Sequence, residues 1–232
     1  MKLGIIGAMD VEVASLKEKM GNPSVVVKAG MEFCEGVLEG LPAAVVQCGI
    51  GKVNAAMCAQ ILCSNFEVTH LVNTGIAGSL LAALDIGDLV ISKDAIHHDF
   101  DLRFWGRPIG QVPGVDVTAF PADEAMIQLA FAAAEGVNPG HTRIGRVASG
   151  DQFICSKEQK EKIIADTQGI CAEMEGASIA HTAYRNGIPF VIIRAISDKA
   201  DDSAEMDYPT FEAIAAQRCA QVTMNLAKQL CK

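Results

Sequence analysis

Three carboxylates, Glu12, Glu175 and Asp198, stand beside apolar runs of the sequence, and Arg194 accompanies them. Several acids without a metal-spaced set of His and Cys suit general acid–base chemistry on a glycosidic or similar bond. That chemistry needs one acid protonated and another ionised, and like charges held close together push their pKa values apart. We therefore expect these acids to transfer protons in one site.

Each carboxylate also has a purely structural interpretation. Glu12 could be a first-turn acid that the helix dipole favours. Asp198 could cap a following helix, and Glu175 could do the same for the Ala-rich segment after it. Taken one at a time, the residues leave both interpretations open.

The predicted elements bring the three acids together. Glu12 follows a short strand, Lys2 to Ile6, and Asp198 follows a buried strand, Phe190 to Ile193. A third strand, Leu71 to Thr74, runs into a Gly-rich segment, Gly75 to Ser79, which is predicted as a turn. Because ligands of open α/β sheets bind beyond the carboxyl ends of strands, the sequence predicts one acidic, glycine-lined pocket.

Strands that alternate with helices predict an α/β fold with helices on both faces of the sheet. Three early β-like runs, Val25 to Lys28, Glu32 to Leu38 and Ala43 to Cys48, form a meander, so we expect a mixed central sheet. No linker divides the chain, and we expect a single catalytic domain over residues 1–232.

Composition narrows the class of partner. The formal net charge of -9 and the lack of a Lys/Arg run argue against nucleic acid and favour a small molecule. No apolar stretch reaches the roughly 18 residues needed for a membrane span, and we expect no signal sequence because Asp10 and Glu12 end the first apolar run. Eight cysteines without a CxxC pair indicate reduced thiols, and we expect a cytoplasmic protein.

His97 and His98, together with Asp99 and Asp101, raise a metal hypothesis. Adjacent residues of a strand point to opposite faces, so both histidines cannot ligate one ion. We expect no metal site there. The next residues, Phe100 to Gly114, form a loop with several large rings, and such a loop usually covers a pocket or a partner subunit.

Eight segments in a fixed order carry a family resemblance. With them the chain resembles the bacterial 5′-methylthioadenosine/S-adenosylhomocysteine nucleosidases of the nucleoside phosphorylase superfamily. The resemblance implies hydrolysis of the bond between N9 of adenine and C1′ of a thionucleoside, with no cofactor and no metal. The segments, which span Gly4 to Asp201, are GIIGAMDVEV, GIGKVNAA, LVNTGIAGSL, HHDFD with GQVPG, SGDQFI, AEMEGASIAH and FVIIRAISDKAD.

The resemblance also implies a role for each acid. Asp198 would protonate N7 of adenine, with Ser197 orienting it. Glu12 would bind and deprotonate the attacking water. Glu175 would hold the ribose hydroxyls, with Met174 and Arg194 beside it.

Further site residues follow from the same resemblance. Phe153 would stack on adenine while the backbone of Ile154 reads the base edge. A loop of a second subunit, from Trp105 to Pro113, would close the pocket, which implies a homodimer. The resemblance also implies an apolar wall around the 5′ group, formed by Met9, Ile50, Leu102 and Tyr208. The remaining implied contacts are with Ile76, Ala77, Gly78 and Glu173.

Some positions depart from the family pattern, and two rival functions stay open. Ile76 stands where many members have Ser, Tyr208 where Phe is expected, and Lys199 follows the expected acid. A phosphorylase would need arginines where this chain has Asn73 and the acidic segment around Glu12. A non-catalytic nucleoside-binding protein is the other rival. The sequence does not rank methylthioadenosine, S-adenosylhomocysteine, 5′-deoxyadenosine and futalosine-type nucleosides as substrates.

Overall fold

The computed structural model describes residues 1–201 and 204–231, without the side chains of residues 205 and 206. Its strands, in chain order, are β1 (Leu3–Gly7), β2 (Gly21–Lys28), β3 (Met31–Leu38), β4 (Leu41–Gln47), β5 (His70–Ser79), β6 (Leu89–His97), β7 (Phe120–Pro121), β8 (Thr142–Ser149), β9 (Cys171–Glu173) and β10 (Phe190–Asp198). Its helices are α1 (Asp10–Glu18), α2 (Lys52–Asn65), α3 (Glu124–Glu135), α4 (Lys157–Thr167), α5 (Gly176–Asn186) and α6 (Ala204–Leu230), with a 3₁₀ turn at Arg103–Trp105.

β5 is the strand on which the sheet is organised. It pairs in parallel with β1 and β10 and antiparallel with β9. β10, β6, β8 and β9 continue round and return to β5, so these strands close a ring, while β1, β4, β3 and β2 extend from it. Parallel and antiparallel pairs occur together, which confirms the predicted mixed α/β sheet.

Alternate residues of the central strands fill two cores on opposite faces of the sheet, as the two-residue period of a strand requires. Val191 and Ile193 of β10 pack with side chains of α1, α3 and α6. Ile192 between them packs with α2 and α5. The helices therefore cover both faces, as the sequence predicted. Even α6, which is 27 residues long, is not apolar enough to cross a membrane, and the same is true of every helix in the described part.

The prediction of a turn at Gly75 to Ser79 was wrong. This segment is the second half of β5, where Gly75 pairs with Arg194 and Gly78 with Asp198 of the neighbouring β10. Strand β10 likewise continues past the predicted end at Ile193 and reaches Asp198. Glycines signalled a turn in the sequence, but the ladder between the two strands satisfies their backbone groups and holds them extended.

Apolar periodicity predicts a last helix from Thr210 to Leu230, and the structure differs at its start. It begins at Ala204 and runs through Pro209. A proline costs a helix one backbone hydrogen bond, and burial of the rest of α6 against the sheet and α3 outweighs this loss.

Candidate active site

A cavity of about 440 Å³ opens at the carboxyl ends of β1, β5 and β10. Its position agrees with the rule that ligands of α/β sheets bind beyond the carboxyl ends of strands. The structure thus brings Glu12, Glu175 and Asp198 into one cavity. The described lining residues are Ala8, Met9, Glu12, Ile50, Ile76, Ala77, Gly78, Phe153, Ala172, Glu173, Met174, Glu175, Ser197, Asp198 and Tyr208.

Glu12 lies in the first turn of α1 and is buried. Its Oε2 accepts hydrogen bonds from the backbone N–H groups of Ala8 (2.7 Å) and Met9 (3.0 Å), and its Oε1 accepts one from Ile76 (3.1 Å). Burial raises the pKa of Glu12, and the charge of Arg194 and the backbone donors oppose the rise. Glu12 therefore caps its own helix and presents to the cavity a carboxylate that is more basic than an exposed glutamate.

Two glycines of β5 leave the space that the carboxylates occupy. A Cβ atom on Gly75 would lie 2.4 Å from Oε1 of Glu12, and one on Gly78 would lie 2.7 Å from Oδ1 of Asp198. Both distances are far shorter than a van der Waals contact. The glycines that mimicked a turn in the sequence are thus required by close approach of acidic side chains to the strand.

Glu175 precedes α5, and its carboxylate is not used to cap that helix. Glu173 takes that role: its two oxygens accept hydrogen bonds of 3.0 and 2.8 Å from the N–H of Gly176, and Ser149 and Arg194 also donate to them. Oε1 of Glu175 accepts a hydrogen bond of 2.8 Å from Gly51. Burial, with the nearby charge of Glu173, raises the pKa of Glu175 to about 7.

Arg194 does not line the cavity but lies beneath it, fully buried in β10. Its guanidinium forms an ion pair with Glu173 and donates to Oδ1 of Asn73. Burial alone would lower the pKa of Arg194, but the carboxylates of Glu173, Glu12 and Glu175 raise it, so the side chain stays cationic. The resemblance put Arg194 beside Glu175, whereas its direct partner is Glu173.

Asp198 ends β10, and both of its oxygens accept hydrogen bonds. Ser197 Oγ donates to Oδ2 and the N–H of Ala200 donates to Oδ1, each at 2.8 Å. Burial raises the pKa of Asp198 although these bonds oppose the rise. Because α6 begins only at Ala204, Asp198 does not cap it. Burial therefore favours the protonated form of Asp198 at the wall of the cavity.

An apolar wall faces the acids. The rings of Phe153 and Tyr208 meet edge to face, 5.6 Å apart at 86°. The Tyr208 hydroxyl lies 3.3 Å from Sδ of Met9 and 3.3 Å from Oε1 of Glu212. Ile154 lines a smaller adjoining cavity of about 40 Å³, which shares Phe153 with the main one. A flat apolar ligand part would fit between these side chains and the carboxylates.

Comparison with known proteins places this site in a family. The model of the phosphorylase superfamily matches residues 2–228. The chain belongs to this superfamily. A 5′-methylthioadenosine/S-adenosylhomocysteine nucleosidase of Geobacillus thermodenitrificans is 41% identical over 227 residues, covering 97% of this chain and 96% of the relative.

Solved structures agree with this membership. The nucleosidase of Neisseria meningitidis in complex with methylthio-immucillin-A has a TM-score of 0.95 and 35% identity, over 98% of this chain and 99% of that one. A futalosine hydrolase of Helicobacter pylori has a TM-score of 0.94 and 32% identity, over 99% of this chain and 98% of that one. These matches confirm the resemblance that the sequence segments indicated.

The loop residues implied for this superfamily member lie outside the cavity of the single chain. Leu102, Trp105 and Pro113 are absent from its described lining. Trp105 is 69% exposed and its neighbour Phe104 is 97% exposed. Most of the surface of both rings is therefore exposed in the single chain.

His97 and His98 are both buried at the end of β6. The His97 ring packs edge-on against Phe120 and His181, with centroids 5.9 and 5.8 Å away. Burial lowers the pKa of His97 to about 4, so its imidazole is neutral near pH 7. Across residues 1–201 and 204–231, with side chains 205 and 206 left aside, no three His, Cys, Asp or Glu side chains cluster in a way that could hold a metal ion.

Sequence reasoning missed several residues of the site. Ala8 and Ala172 line the cavity, and Ser149 supports Glu173 from β8. Ala8 and Ala172 are neighbours in sequence of predicted site residues, which is the one signal that could have found them. Ser149 opens the SGDQFI segment, but nothing local distinguishes it from an ordinary strand serine.

Proposed function

We propose that this chain hydrolyses the N-glycosidic bond of 5′-methylthioadenosine and S-adenosylhomocysteine, releasing adenine. The observation that carries the proposal is the charge of the cavity. Four carboxylates, Glu12, Glu173, Glu175 and Asp198, line it, and its described lining contains no Lys, Arg or His. Such a site stabilises a ribose that becomes cationic and repels an anionic nucleophile. The names of the relatives support the same reaction.

Asp198 acts as the general acid at N7 of adenine. Its raised pKa keeps a proton available, and Ser197 fixes the carboxyl through the 2.8 Å bond to Oδ2. Protonation turns adenine into a neutral leaving group, and a positioned acid of this kind contributes roughly a hundred- to ten-thousand-fold in rate.

Glu12 acts as the base toward water, and Glu175 binds the ribose hydroxyls. The Glu12 carboxylate is held by backbone N–H groups on both oxygens, so it is oriented before a ligand enters. A raised pKa makes it a stronger base than an exposed glutamate. The charges of Glu12 and Glu175 favour an oxocarbenium-like ribose on the face that the water attacks.

The apolar wall supplies the other contacts. Phe153 stacks on adenine, while the backbone of Ile154 reads the base edge. Met9, Ile50 and Tyr208 surround the 5′ substituent, with Ile76, Ala77 and Gly78 forming the floor along β5.

Hydrolysis, rather than phosphorolysis, is favoured by the position of the one buried arginine. Asn73 and Glu173 hold Arg194 beneath the cavity, where it neutralises carboxylates and cannot cradle an anion in the cavity. Adenine release from methylthioadenosine should therefore be fast without phosphate. A rate that rises strongly and saturably with phosphate would instead support a phosphorylase.

The futalosine hydrolase neighbour supplies a second candidate substrate class. Its fold match is as close as that of the nucleosidases, and its name differs in the substrate. Relative kcat/KM for methylthioadenosine, S-adenosylhomocysteine, 5′-deoxyadenosine and futalosine decides between them. We expect the 5′-thionucleosides to give the highest values.

We also propose a homodimer in which the Trp105 to Pro113 loop completes the partner's pocket. Supporting it, Ile50, Val53 and Met57 form an exposed apolar stripe at the start of α2, and Ile50 also lines the cavity. An apolar surface next to a cavity mouth is typical of a subunit interface. The exposed ring of Trp105 fits the same interpretation.

Mixing two inactive variants tests the shared pocket. Asp198→Asn removes the acid but keeps the loop, and Trp105→Ala removes the ring but keeps the acid. Hybrid dimers regain one complete site, so mixing should raise activity above either parent. The control mixes Asp198→Asn with the double variant Asp198→Asn/Trp105→Ala, a pair that forms no complete site. No gain of activity in the first mixture would contradict the shared site.

A cytoplasmic location is proposed as well. The eight cysteines carry free thiols, and five of them, Cys34, Cys48, Cys58, Cys171 and Cys219, are buried. Thiols inside an apolar core suit a reducing compartment. Fractionation of cells that express the chain tests this location.

A further inference from the structure

Ser149, the last residue of β8, is fully buried and joins two elements that meet at the cavity. Its hydroxyl donates to Oε1 of Glu173 at the end of β9. Oγ of Ser149 in turn accepts a hydrogen bond of 2.7 Å from the N–H of Ala177 in the first turn of α5. One side chain thus fixes the residues on both sides of Glu175.

Glu173 completes this arrangement. Its Oε2 accepts bonds from the N–H of Glu175 (3.3 Å) and Gly176 (2.8 Å), and Arg194 balances its charge. The backbone of Glu175 is therefore held from two directions. Within the described part of the chain, its side chain accepts one hydrogen bond, from the N–H of Gly51. The direction of the Glu175 carboxylate depends on where Glu173 and α5 place its backbone.

We propose that Ser149 is a positioning residue, which aims the Glu175 carboxylate at the ribose hydroxyls of the substrate. The proposal rests on the function proposed above. Without the hydroxyl, the N–H of Ala177 and one oxygen of Glu173 lose a partner in the core, and both must move to find another. A misplacement of about 1 Å at a reacting group can cost roughly a hundredfold in rate.

The test compares Ser149→Ala with a matched control, Ser92→Ala. Ser92 is also a fully buried strand serine, and its hydroxyl accepts a hydrogen bond of 2.9 Å from the N–H of Ile192. Both variants remove one buried hydroxyl, so both should lower the melting temperature. We expect Ser149→Ala to lower kcat/KM for methylthioadenosine by roughly ten- to a hundredfold and Ser92→Ala by less than about threefold.

A second substrate separates positioning from general damage. For a methylthioadenosine analogue without the ribose 3′-hydroxyl, Ser149→Ala should cost less than about threefold, because part of the contact with Glu175 is already absent. Affinity of Ser149→Ala for free adenine, measured by calorimetry, should change by less than about threefold, because adenine has no ribose hydroxyls for Glu175 to bind. Ser149→Cys, with a thiol that is a weaker donor, should lie between wild type and Ser149→Ala.

Each outcome decides the proposal. Equal losses of kcat/KM in the two Ala variants, or an equal loss for both substrates, would overturn the role of Ser149 and leave the hydrolase intact. If Ser149→Ala does not fold, Ser149→Cys decides by the same substrate comparison. A wild-type chain that releases no adenine would overturn the proposed function itself.

Discussion

Oε1 of Glu12 and the backbone N–H of Ile76 are joined by a hydrogen bond of 3.1 Å, which ties the first helix to the middle of β5. The side chain of Ile76 offers no polar group to the carboxylate. The backbone contact does not depend on the side chain. Glu12 is therefore fixed by the course of β5, and the space for it is made by the absence of a side chain at Gly75.

Gly75→Ala should inactivate the enzyme without unfolding it. The new Cβ would lie 2.4 Å from Oε1 of Glu12 and 3.1 Å from Nη1 of Arg194, so the carboxylate must move. We expect kcat/KM to fall by roughly a hundredfold or more. Gly21→Ala, where the nearest atom is 3.7 Å away, is the control. Full activity of Gly75→Ala would show that the position of Glu12 does not matter.

Asp198→Asn should remove leaving-group activation. The amide keeps the shape of the side chain but cannot deliver a proton to N7, and we expect kcat to fall by about a hundred- to ten-thousand-fold with little change in affinity for adenine. Single-turnover adenine release measures the effect. Asp123→Asn, at the N-cap of α3, is the matched control because Asn also caps well. Equal rates for Asp198→Asn and wild type would contradict the role of Asp198 as the general acid.

The stability of the protein should depend on pH through Glu175. Its pKa is about 7 in the folded chain against an ordinary 4.5, so the folded state holds the proton more tightly. This contribution to stability is complete below the ordinary pKa and is lost as pH rises through about 7. Such a shift corresponds to on the order of 3 kcal/mol.

Denaturant unfolding at about pH 5 and about pH 8 measures this dependence. Wild type should lose more free energy of unfolding between the two pH values than Glu175→Gln, whose side chain does not titrate. The difference between the two proteins isolates Glu175 from other titrating groups. Parallel behaviour of wild type and variant would contradict the raised pKa.

Tyr208→Phe should change discrimination at the 5′ end. The hydroxyl, next to Sδ of Met9, is a polar group in an otherwise apolar wall. Its removal should raise the ratio of kcat/KM for methylthioadenosine to that for adenosine by roughly three- to tenfold, because a 5′-hydroxyl loses a hydrogen-bond partner. Tyr184→Phe, whose hydroxyl contacts Asp116 on the surface, should leave the ratio unchanged. An unchanged ratio in Tyr208→Phe would exclude Tyr208 from 5′ recognition.

Much of the fold could be predicted because it depends on local patterns. Apolar strands, Ala-rich helices and an early meander indicated a mixed α/β sheet, and β1 lies within one residue of its predicted range, Lys2 to Ile6. The errors occurred where non-local pairing decides. The glycines of β5 indicate a turn until β10 is placed beside them, and the last helix was predicted to begin at Thr210, whereas it begins at Ala204.

The acids of the site were predictable from the sequence as residue types, whereas their roles were implied only by the family resemblance. Glu12, Glu175 and Asp198 follow strands whose carboxyl ends meet at one edge, and their order in the segments carried the family resemblance. The support of the site was not predictable. Glu173 and Ser149 sit on different strands and meet only through the parallel pairing of β8 with β9.

The sequence by itself determined the class of fold, the family and the identity of the acids, because strand and helix periods and the order of motifs are properties of the sequence alone. Tertiary structure alone decided the surroundings of each acid. Burial and partners differ for each carboxylate: Glu173 is paired with Arg194 and caps α5, Glu175 is free to face the cavity, and Glu12 is held by β5. The physical reason is that charge states depend on distance and desolvation, and both exist only once distant segments have packed together.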